Sequence, residues 1–196
     1  MGMVSTESPL TILAVLQHTS RQNPQAPALE HAGNVVSYAS LEDMSDRLAN
    51  YLRCELGVKR GDRVGICLEP SARMVTAVLA IVKCGAAYVP LDADLPKQRL
   101  SYILRDAGIS LALVQRKFAV DIALCSADGP KVALFLVDQE KTWQGYPIDP
   151  TAPGPEPSDL AGPGGWSRGL SAVLTVGIRP CSGAILVLVF ALAQGL

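Results

Sequence analysis

Apolar positions recur over residues 10 to 138 at spacings that alternate between those of helices and those of strands. An amphipathic helix is predicted over residues 9 to 22, where the helical spacing of leucines persists until Pro24 stops it. The stretch PALEHAGNVVSY that follows predicts two short strands around the turn residues Gly33 and Asn34. The chain is therefore expected to open with a helix and a hairpin.

Three further helices are predicted, each opening on a capping residue or a proline and closing near a glycine. They run from Ser40 to Gly57, from Ser71 to Gly85 and from Pro96 to Ala107. Ser40 is expected to cap the first of them, with Asp43 completing a capping box. The helix opening at Ser71 is apolar on most sides, which indicates a helix packed against a sheet.

Four short apolar runs between and after these helices have the length and composition of buried strands: RVGICL, AYVPL, SLALVQ and KVALFLVD. Short strands that alternate with helices of this length require a mostly parallel sheet covered on both faces. The predicted fold class is therefore α/β, a doubly wound, mostly parallel sheet with helices on both faces.

The pattern divides the chain into three parts: a domain over residues 1–141, a Pro/Gly-rich linker or long loop over 142–165, and an apolar tail over 166–196. After Arg168 the only charged residue is Arg179. The tail is therefore expected to form an apolar helix that needs burial, and a truncated membrane segment is one interpretation of it.

The charge balance and the cysteines argue against several classes of partner and site. The 17 Lys and Arg residues balance 18 Asp and Glu residues, for a net charge of −1, which indicates no nucleic-acid partner. Five widely spaced cysteines include no CxxC pair, so neither a disulfide framework nor a zinc site is indicated. A cytoplasmic location, with membrane association through the tail as a further option, fits this composition.

The tripeptide at residues 60–62 and the two histidines are interpreted as structural features and not as functional sites. Arg60, Gly61 and Asp62 spell a tripeptide known from adhesion proteins, but a turn that leads into a strand explains them better. His18 and His31 are isolated from any partner at ligand spacing and are interpreted as exposed side chains.

Residues 82–108, VKCGAAYVPLDADLPKQRLSYILRDAG, resemble a segment of adenylate-forming enzymes, in particular the amino-acid-activating domains of nonribosomal peptide synthetases. Residues 36–52, VSYASLEDMSDRLANYL, resemble an earlier segment of the same family, and GVKRGDRVGICLEPS lies between the two. The likeness covers about residues 10 to 161. Cys84 stands where alanine is usual in the family, and Ala93 where a second proline is usual.

The resemblance implies the N-terminal subdomain of an enzyme in which a carboxylate attacks the α-phosphate of ATP, releasing pyrophosphate, and the acyl group of the resulting adenylate passes to a carrier protein. ATP and Mg²⁺ are implied for the full-length family. Residues 157–161, PSDLA, are followed here by GPGGWSRGL, which has neither the Ser/Thr cluster nor the lysine that a phosphate loop requires. The expectation is a truncated domain that is inactive alone and binds no cofactor alone.

No catalytic, cofactor-binding or metal-binding residue is assigned from the sequence. Lys83, Asp92 and Arg99 in the family segment are interpreted as helix-end charges that are solvated or capping, and Arg99 is expected to pair with Asp106 or Asp92. The acyl or amino-acid substrate is not predicted.

The tail sequence TVGIRPCSGAILVLVFALAQGL is weakly similar to a membrane segment of nickel/cobalt exporters, in which Cys181 would be a conceivable soft-metal contact. Two other interpretations of the whole chain are open besides a truncated domain. The chain is either a small membrane-attached protein with a soluble α/β head, or a complementing fragment whose partner is the remainder of the adenylation domain.

Overall fold

The computed structural model describes residues 12 to 126, residues 131 to 149 and residue 152. The helices of this part are α1 (Ile12–Gln22), α2 (Tyr38–Cys54), α3 (Ala72–Lys83), α4 (Lys97–Asp106) and α5 (Arg116–Ser126). The strands are β1 (Pro27–His31), β2 (Asn34–Ser37), β3 (Arg63–Cys67), β4 (Ala87–Pro90), β5 (Leu111–Val114) and β6 (Ala133–Leu136). A short 3-10 helix spans Glu140–Thr142.

Four of the strands form one parallel sheet in the order β4-β3-β5-β6. In this register Val64 of β3 lies beside Tyr88 of β4 and Leu111 of β5, and Leu111 lies beside Ala133 of β6. Helices α3, α4 and α5 connect the successive strands. The predicted α/β class with a parallel sheet is confirmed.

The two faces of this sheet are covered by different helices. Val64 and Ile66 of β3 belong to a core shared with α2 and α3. Cys67 belongs to a second core, shared with α4 and α5, and Gly65 faces that core too, because Leu91 and Ala112 lie next to it. This alternation follows from the two-residue repeat of a strand.

The hairpin of β1 and β2 is a separate antiparallel sheet. Its turn consists of Ala32 and Gly33, whose φ angles of 49° and 79° are both positive, and Asn34 already belongs to β2. The hairpin and α1 pack on α2 and α3 through a third cluster, which contains Leu16 and Tyr38. The predicted hairpin is therefore present, with its turn one residue earlier than expected.

Helix α2 begins at Tyr38 because Ser37, not Ser40, is its cap. Ser37 has an extended backbone, and its Oγ accepts a hydrogen bond from the backbone N–H of Ser40 at 3.3 Å. The prediction of Ser40 as the cap is wrong, because Tyr38 is buried and continues the apolar face of the helix backward.

Helix α5 was not predicted from the sequence. Only Ile122 and Cys125 of this helix are buried, whereas Val120 and Leu124 are 67% and 52% exposed. Apolar residues on the solvent side obscure the helical repeat, so the pattern alone does not reveal the helix.

Residues 143 to 149, which the sequence places in the linker, lie against α2. Trp143 is buried and donates its ring N–H to Val137 O at 3.1 Å. Arg47 donates to Tyr146 O and Asn50 to Pro147 O, each at 3.0 Å. The division of the chain at residue 142 stays a prediction, as do the assignments for the tail, which lies outside the described residues.

Candidate functional site

The carboxyl ends of β3 and β5 mark the point at which the sheet changes its direction of winding. From β3 the chain crosses to β4 on one side, and it then returns past β3 to β5 on the other side. In open α/β sheets, ligands bind in the crevice outside such a point. Residues 68 to 71 and 115 to 117, which leave these two strands, are therefore the first candidates for a functional site.

Side chains of the protein itself bridge this crevice. Gln115 Oε1 accepts a hydrogen bond from the backbone N–H of Glu69 at 2.7 Å, and the backbone N–H of Gln115 donates to Cys67 O at 3.2 Å. Lys117 forms an ion pair and hydrogen bond with Glu69, which lowers the pKa of that carboxyl below its usual value. Gln115 and Lys117 of one loop therefore engage Glu69 of the other.

The turn from β5 into α5 is also tied to the end of β6. The backbone N–H of Arg116 donates to Asp138 Oδ2 at 3.2 Å. The other carboxylate oxygen, Oδ1, is buried and has no hydrogen-bond partner among the described residues. The Lys117 ammonium lies 4.6 Å from the centre of the Phe118 ring, on the same turn. Local contacts at this turn thus hold Arg116 through its backbone and Lys117 through its side chain.

A cleft of about 230 Å³ opens beside the crevice, at the N-terminal end of α3. Its lining comes from the hairpin, α2, α3 and the chain around the 3-10 helix: His31, Asn34, Val36, Met44, Ser71, Ala72, Arg73, Thr76, Glu140, Trp143 and Gln144. Ser71 Oγ accepts from Met74 N at 3.3 Å and so caps α3 as predicted. Arg73 Nε donates to Glu140 Oε1 at 3.1 Å, and Gln144 donates to Glu140 Oε2 at 3.0 Å. The arginine of the cleft is therefore paired.

Lys83 is the clearest departure from the sequence-based interpretation. Its side chain is 5% exposed, and its Nζ lies 2.7 Å from Asp46 Oδ1, 2.8 Å from Ser45 Oγ and 3.0 Å from Glu42 Oε1. The prediction of a solvated or capping charge is wrong, because α2 covers the end of α3 and supplies three polar groups there. Lys83 holds two helices together.

The other charged residues of the family segment lie at the surface. Asp92 is exposed, and its Oδ1 accepts from the backbone N–H of Asp94 at 3.0 Å, which folds the loop back on itself. Arg99 lies over the ring of Tyr102 at 5.4 Å, in place of the predicted pairing with Asp106 or Asp92. Tyr102 OH contacts Asp106 Oδ1 at 3.4 Å.

The tripeptide at residues 60 to 62 forms a turn that leads into β3, as predicted. Gly61 has a φ of 84°, and Asp62 Oδ2 accepts from the backbone N–H of Lys59 at 2.8 Å. His18 and His31 are both exposed, in agreement with their interpretation.

The cysteines of the described part are free thiols. Burial raises the pKa of Cys67 and of Cys84 from 9.0 to about 11. A thiol with a raised pKa is a poor nucleophile and a poor metal ligand at neutral pH. Cys181, in the tail, lies outside the described residues.

Two observations on the described residues bear on the ATP and Mg²⁺ that the resemblance implies for the full-length family. Lys117 and Arg73 are each paired with a carboxylate. Within residues 12–126 and 131–149, no three His, Cys, Asp or Glu side chains are grouped so that they could hold a metal ion. Residues 157–170, for which the sequence predicts a deficient phosphate loop, lie outside the described part.

Helices long and apolar enough to span a membrane were not found in the described part.

Comparison with known proteins identifies the family to which this chain belongs. Residues 16–162 match the AMP-binding enzyme family. The chain is 35% identical over 138 residues to one component of the linear gramicidin synthase of Brevibacillus parabrevis, and 34% identical over 139 residues to surfactin synthase subunit 1 of Bacillus subtilis. These alignments take in 70% and 71% of this chain, but the chain spans only 3% and 4% of the relatives' length.

Solved structures agree with this assignment. The nonribosomal peptide synthetase FmoA3 (S1046A), in its form bound to alpha-methyl-L-serine-AMP, matches 77% of this chain with a TM-score of 0.65 and 28% identity, over 16% of its own length. The anthranilate CoA ligase AuaEII shares the fold, with a TM-score of 0.70 at 22% identity over 83% of this chain and 34% of its own. The chain therefore belongs to the family of AMP-binding enzymes and is related, within it, to the adenylation domains of nonribosomal peptide synthetases.

Proposed function

We propose that residues 12 to 149 are a structural scaffold of an amino-acid-activating adenylation domain, an incomplete N-terminal subdomain, and that the 196-residue chain alone adenylates no substrate. In the family reaction a carboxylate attacks the α-phosphate of ATP, which gives an acyl adenylate and pyrophosphate, and the acyl group then passes to a carrier thiol. The observation that carries the proposal is that Lys83, Lys117 and Arg73 are engaged with the protein's own carboxylates.

Three sets of contacts make this point. Lys83 is engaged by Glu42 and Asp46, Lys117 by Glu69, and Arg73 by Glu140. Stabilisation of a triphosphate needs donors and cations that are aimed at the developing charge and not neutralised beforehand. These three cations instead join parts of the fold to one another, which supports a scaffold role.

The partners follow from the same proposal. The scaffold would require the remainder of an adenylation domain, and the acyl group would pass to a carrier protein. A solved structure of similar fold is an artificially fused adenylation–PCP di-domain from Klebsiella oxytoca, at a TM-score of 0.64. We propose a cytoplasmic location, as for a protein whose cysteines are free thiols in the described part.

The first experiment measures ATP–pyrophosphate exchange by the purified 196-residue chain with each of the twenty amino acids. The expected result is exchange no greater than that of a buffer blank, with a folded circular dichroism spectrum and with full activity in a parallel sample of an intact adenylation domain. Exchange that rises in proportion to the concentration of this chain would overturn the proposal.

The second experiment tests the scaffold directly. Residues 12–149 replace the matching segment of an adenylation domain of surfactin synthase subunit 1, to which the chain is 34% identical. The chimera should retain pyrophosphate exchange, whereas the same chimera with Lys83→Ala should lose it together with thermal stability. A folded chimera with no activity would show that this segment contributes more than a scaffold.

A further inference from the structure

Helix α5 is apolar on two opposite sides. Ile122 and Cys125 are buried against the sheet, whereas Val120 and Leu124 are 67% and 52% exposed. Val120 and Leu124 are four residues apart, so they lie one above the other on a single face of the helix. A helix that is apolar all round is normally covered on all sides. The described residues leave this outer face of α5 uncovered.

The other described helices present different outer faces. Helices α2 and α3 have no exposed large hydrophobic side chain among the described residues, and α1 and α4 have one each, Ile12 and Tyr102. Tyr102 has a hydroxyl group, which contacts Asp106. Two exposed aliphatic side chains on one face therefore distinguish α5, and contiguous exposed apolar surface of this kind marks a contact site.

The sheet ends beside this helix in the described part of the chain. Helix α5 leads to β6, which is the edge strand. Leu134 and Leu136 of β6 are half-buried and pack on the same core as α5. No described helix follows α5 on this face of the sheet, so both the helix and the edge of the sheet leave apolar side chains partly open.

We infer that residues 184–193 of this chain, AILVLVFALA, pack on the outer face of α5 that Val120 and Leu124 form. These ten consecutive apolar residues lie between Gly183 and Gln194, outside the described part. A run of about 10–14 apolar residues is short for a hydrocarbon core of about 30 Å and is more typical of a segment buried in a protein. The chain thus contains both an apolar segment that needs burial and an apolar helix face that needs cover.

The chain leaves the described part close to the same edge of the sheet. Tyr146 packs edge-on against Tyr51, with ring centres 5.4 Å apart, and the Tyr51 ring lies 5.2 Å from that of Phe135 on β6. Residues 150–183, which follow, can span about 100 Å when extended. Because packed layers are only about 10 Å apart, this length allows the run to pass around β6 and to reach α5 on the other face.

The first test measures whether the outer face of α5 is covered in the complete chain. A thiol is introduced there by Val120→Cys and, as the matched control, on the exposed side of α4 by Gln98→Cys, each together with Cys54→Ser to remove an exposed thiol. Maleimide labelling at each position is followed by peptide mass spectrometry. Adding Leu188→Asp, which places a charge inside the run, should speed labelling at position 120 about tenfold or more and leave position 98 unchanged. Ser171→Asp, outside the run, should change neither rate.

The second test uses Cys181, which precedes the run by three residues. A short bismaleimide should join Cys181 to the thiol introduced by Val120→Cys within one chain, and it should not join Cys181 to the thiol introduced by Gln98→Cys.

Three results would refute the inference. The first is labelling at position 120 that Leu188→Asp leaves unchanged. The second is a crosslink from position 120 to Cys181 that forms only between two copies, which would assign the face to another molecule. The third is protection at position 120 that phosphatidylcholine vesicles abolish, which would show that the run prefers lipid to α5.

Discussion

The ammonium group of Lys83 lies 2.7 Å from Oδ1 of Asp46, which joins the last residue of α3 to the middle of α2 inside the protein. Lys83 is 5% exposed and Asp46 is 34% exposed, so the carboxylate keeps some contact with water while the ammonium does not. Glu42 and Ser45 complete the set of acceptors. This pairing explains why a lysine can end a helix that is buried on most sides.

Replacing Lys83 with Met should destabilise the protein by about 2–3 kcal/mol. Loss of one partner of a buried ion pair costs about 3–5 kcal/mol, and partial hydration of Asp46 reduces that cost. Urea denaturation measures the change in the free energy of unfolding. Lys97→Met, at an exposed position, is the control and should change it by less than about 0.5 kcal/mol. Equal effects of the two substitutions would contradict a role for Lys83 in joining the helices.

Gly65 in the centre of β3 should not tolerate a methyl group. A Cβ at this position would lie 2.8 Å from Leu91 Cδ1 and 3.1 Å from Ala112 Cβ. Gly65→Ala should therefore cost about 1–3 kcal/mol through overpacking. Gly145→Ala is the matched control, since nothing lies within 4 Å of its added Cβ. The midpoint of thermal unfolding should fall for the first variant and stay within about 1–2 °C for the second.

Trp143 should be the main anchor of the segment that follows β6. Its side chain is 2% exposed, and its ring N–H is bonded to Val137 O. Trp143→Ala should cost about 3–5 kcal/mol, and it should also release residues 144 to 149 from α2. Limited proteolysis measures that release, with Thr142→Ala as the exposed control. Unchanged cleavage between residues 144 and 149 would show that Arg47 and Asn50 hold the segment without the tryptophan.

Alkaline pH should destabilise the protein through its buried thiols. Burial raises the pKa of Cys67 and Cys84 from 9.0 to about 11, so between these values the unfolded chain loses protons that the folded chain keeps. The stability contributed by these thiols is fully present below about pH 9 and falls as the pH rises toward 11. Cys84→Ala should make the decrease in the free energy of unfolding between pH 9 and 11 shallower, as urea denaturation at each pH would measure. Thr142→Ala, at an exposed position without a thiol, is the control and should leave the slope of stability against pH as it is in the unsubstituted chain.

Most of the α/β pattern could be predicted from local sequence. Ser71 caps α3 and Gly85 has a φ of 71°, as capping rules and glycine geometry require. Helix α5 could not be found this way, because Val120 and Leu124 on its outer side are apolar. The capping residue of α2 was misassigned because Ser37 and Ser40 are both good caps, and only the burial of Tyr38 decides between them.

For the candidate site, the sequence indicated individual residues but not the contacts that they make. The sequence named Lys83, Asp92 and Arg99, but it held no sign of the contacts among Glu69, Gln115 and Lys117, since Glu69 and Gln115 are 46 residues apart. Contacts over that separation depend on strand order. A polar residue within two positions of the end of each of two neighbouring parallel strands, Glu69 after β3 and Gln115 after β5, is the one local signal that could have pointed to them.

By itself, the sequence determined the family, the alternation of strands and helices and the positions of most turns, because these depend on local spacing and on conformations that glycine and proline favour. Tertiary structure alone decided that Lys83 is buried, that the crevice beside β3 and β5 is bridged by side chains, and that residues 143 to 149 pack on α2. The reason is physical: burial and pairing of a charge depend on which distant segments cover it, and that follows from the packing of the whole sheet.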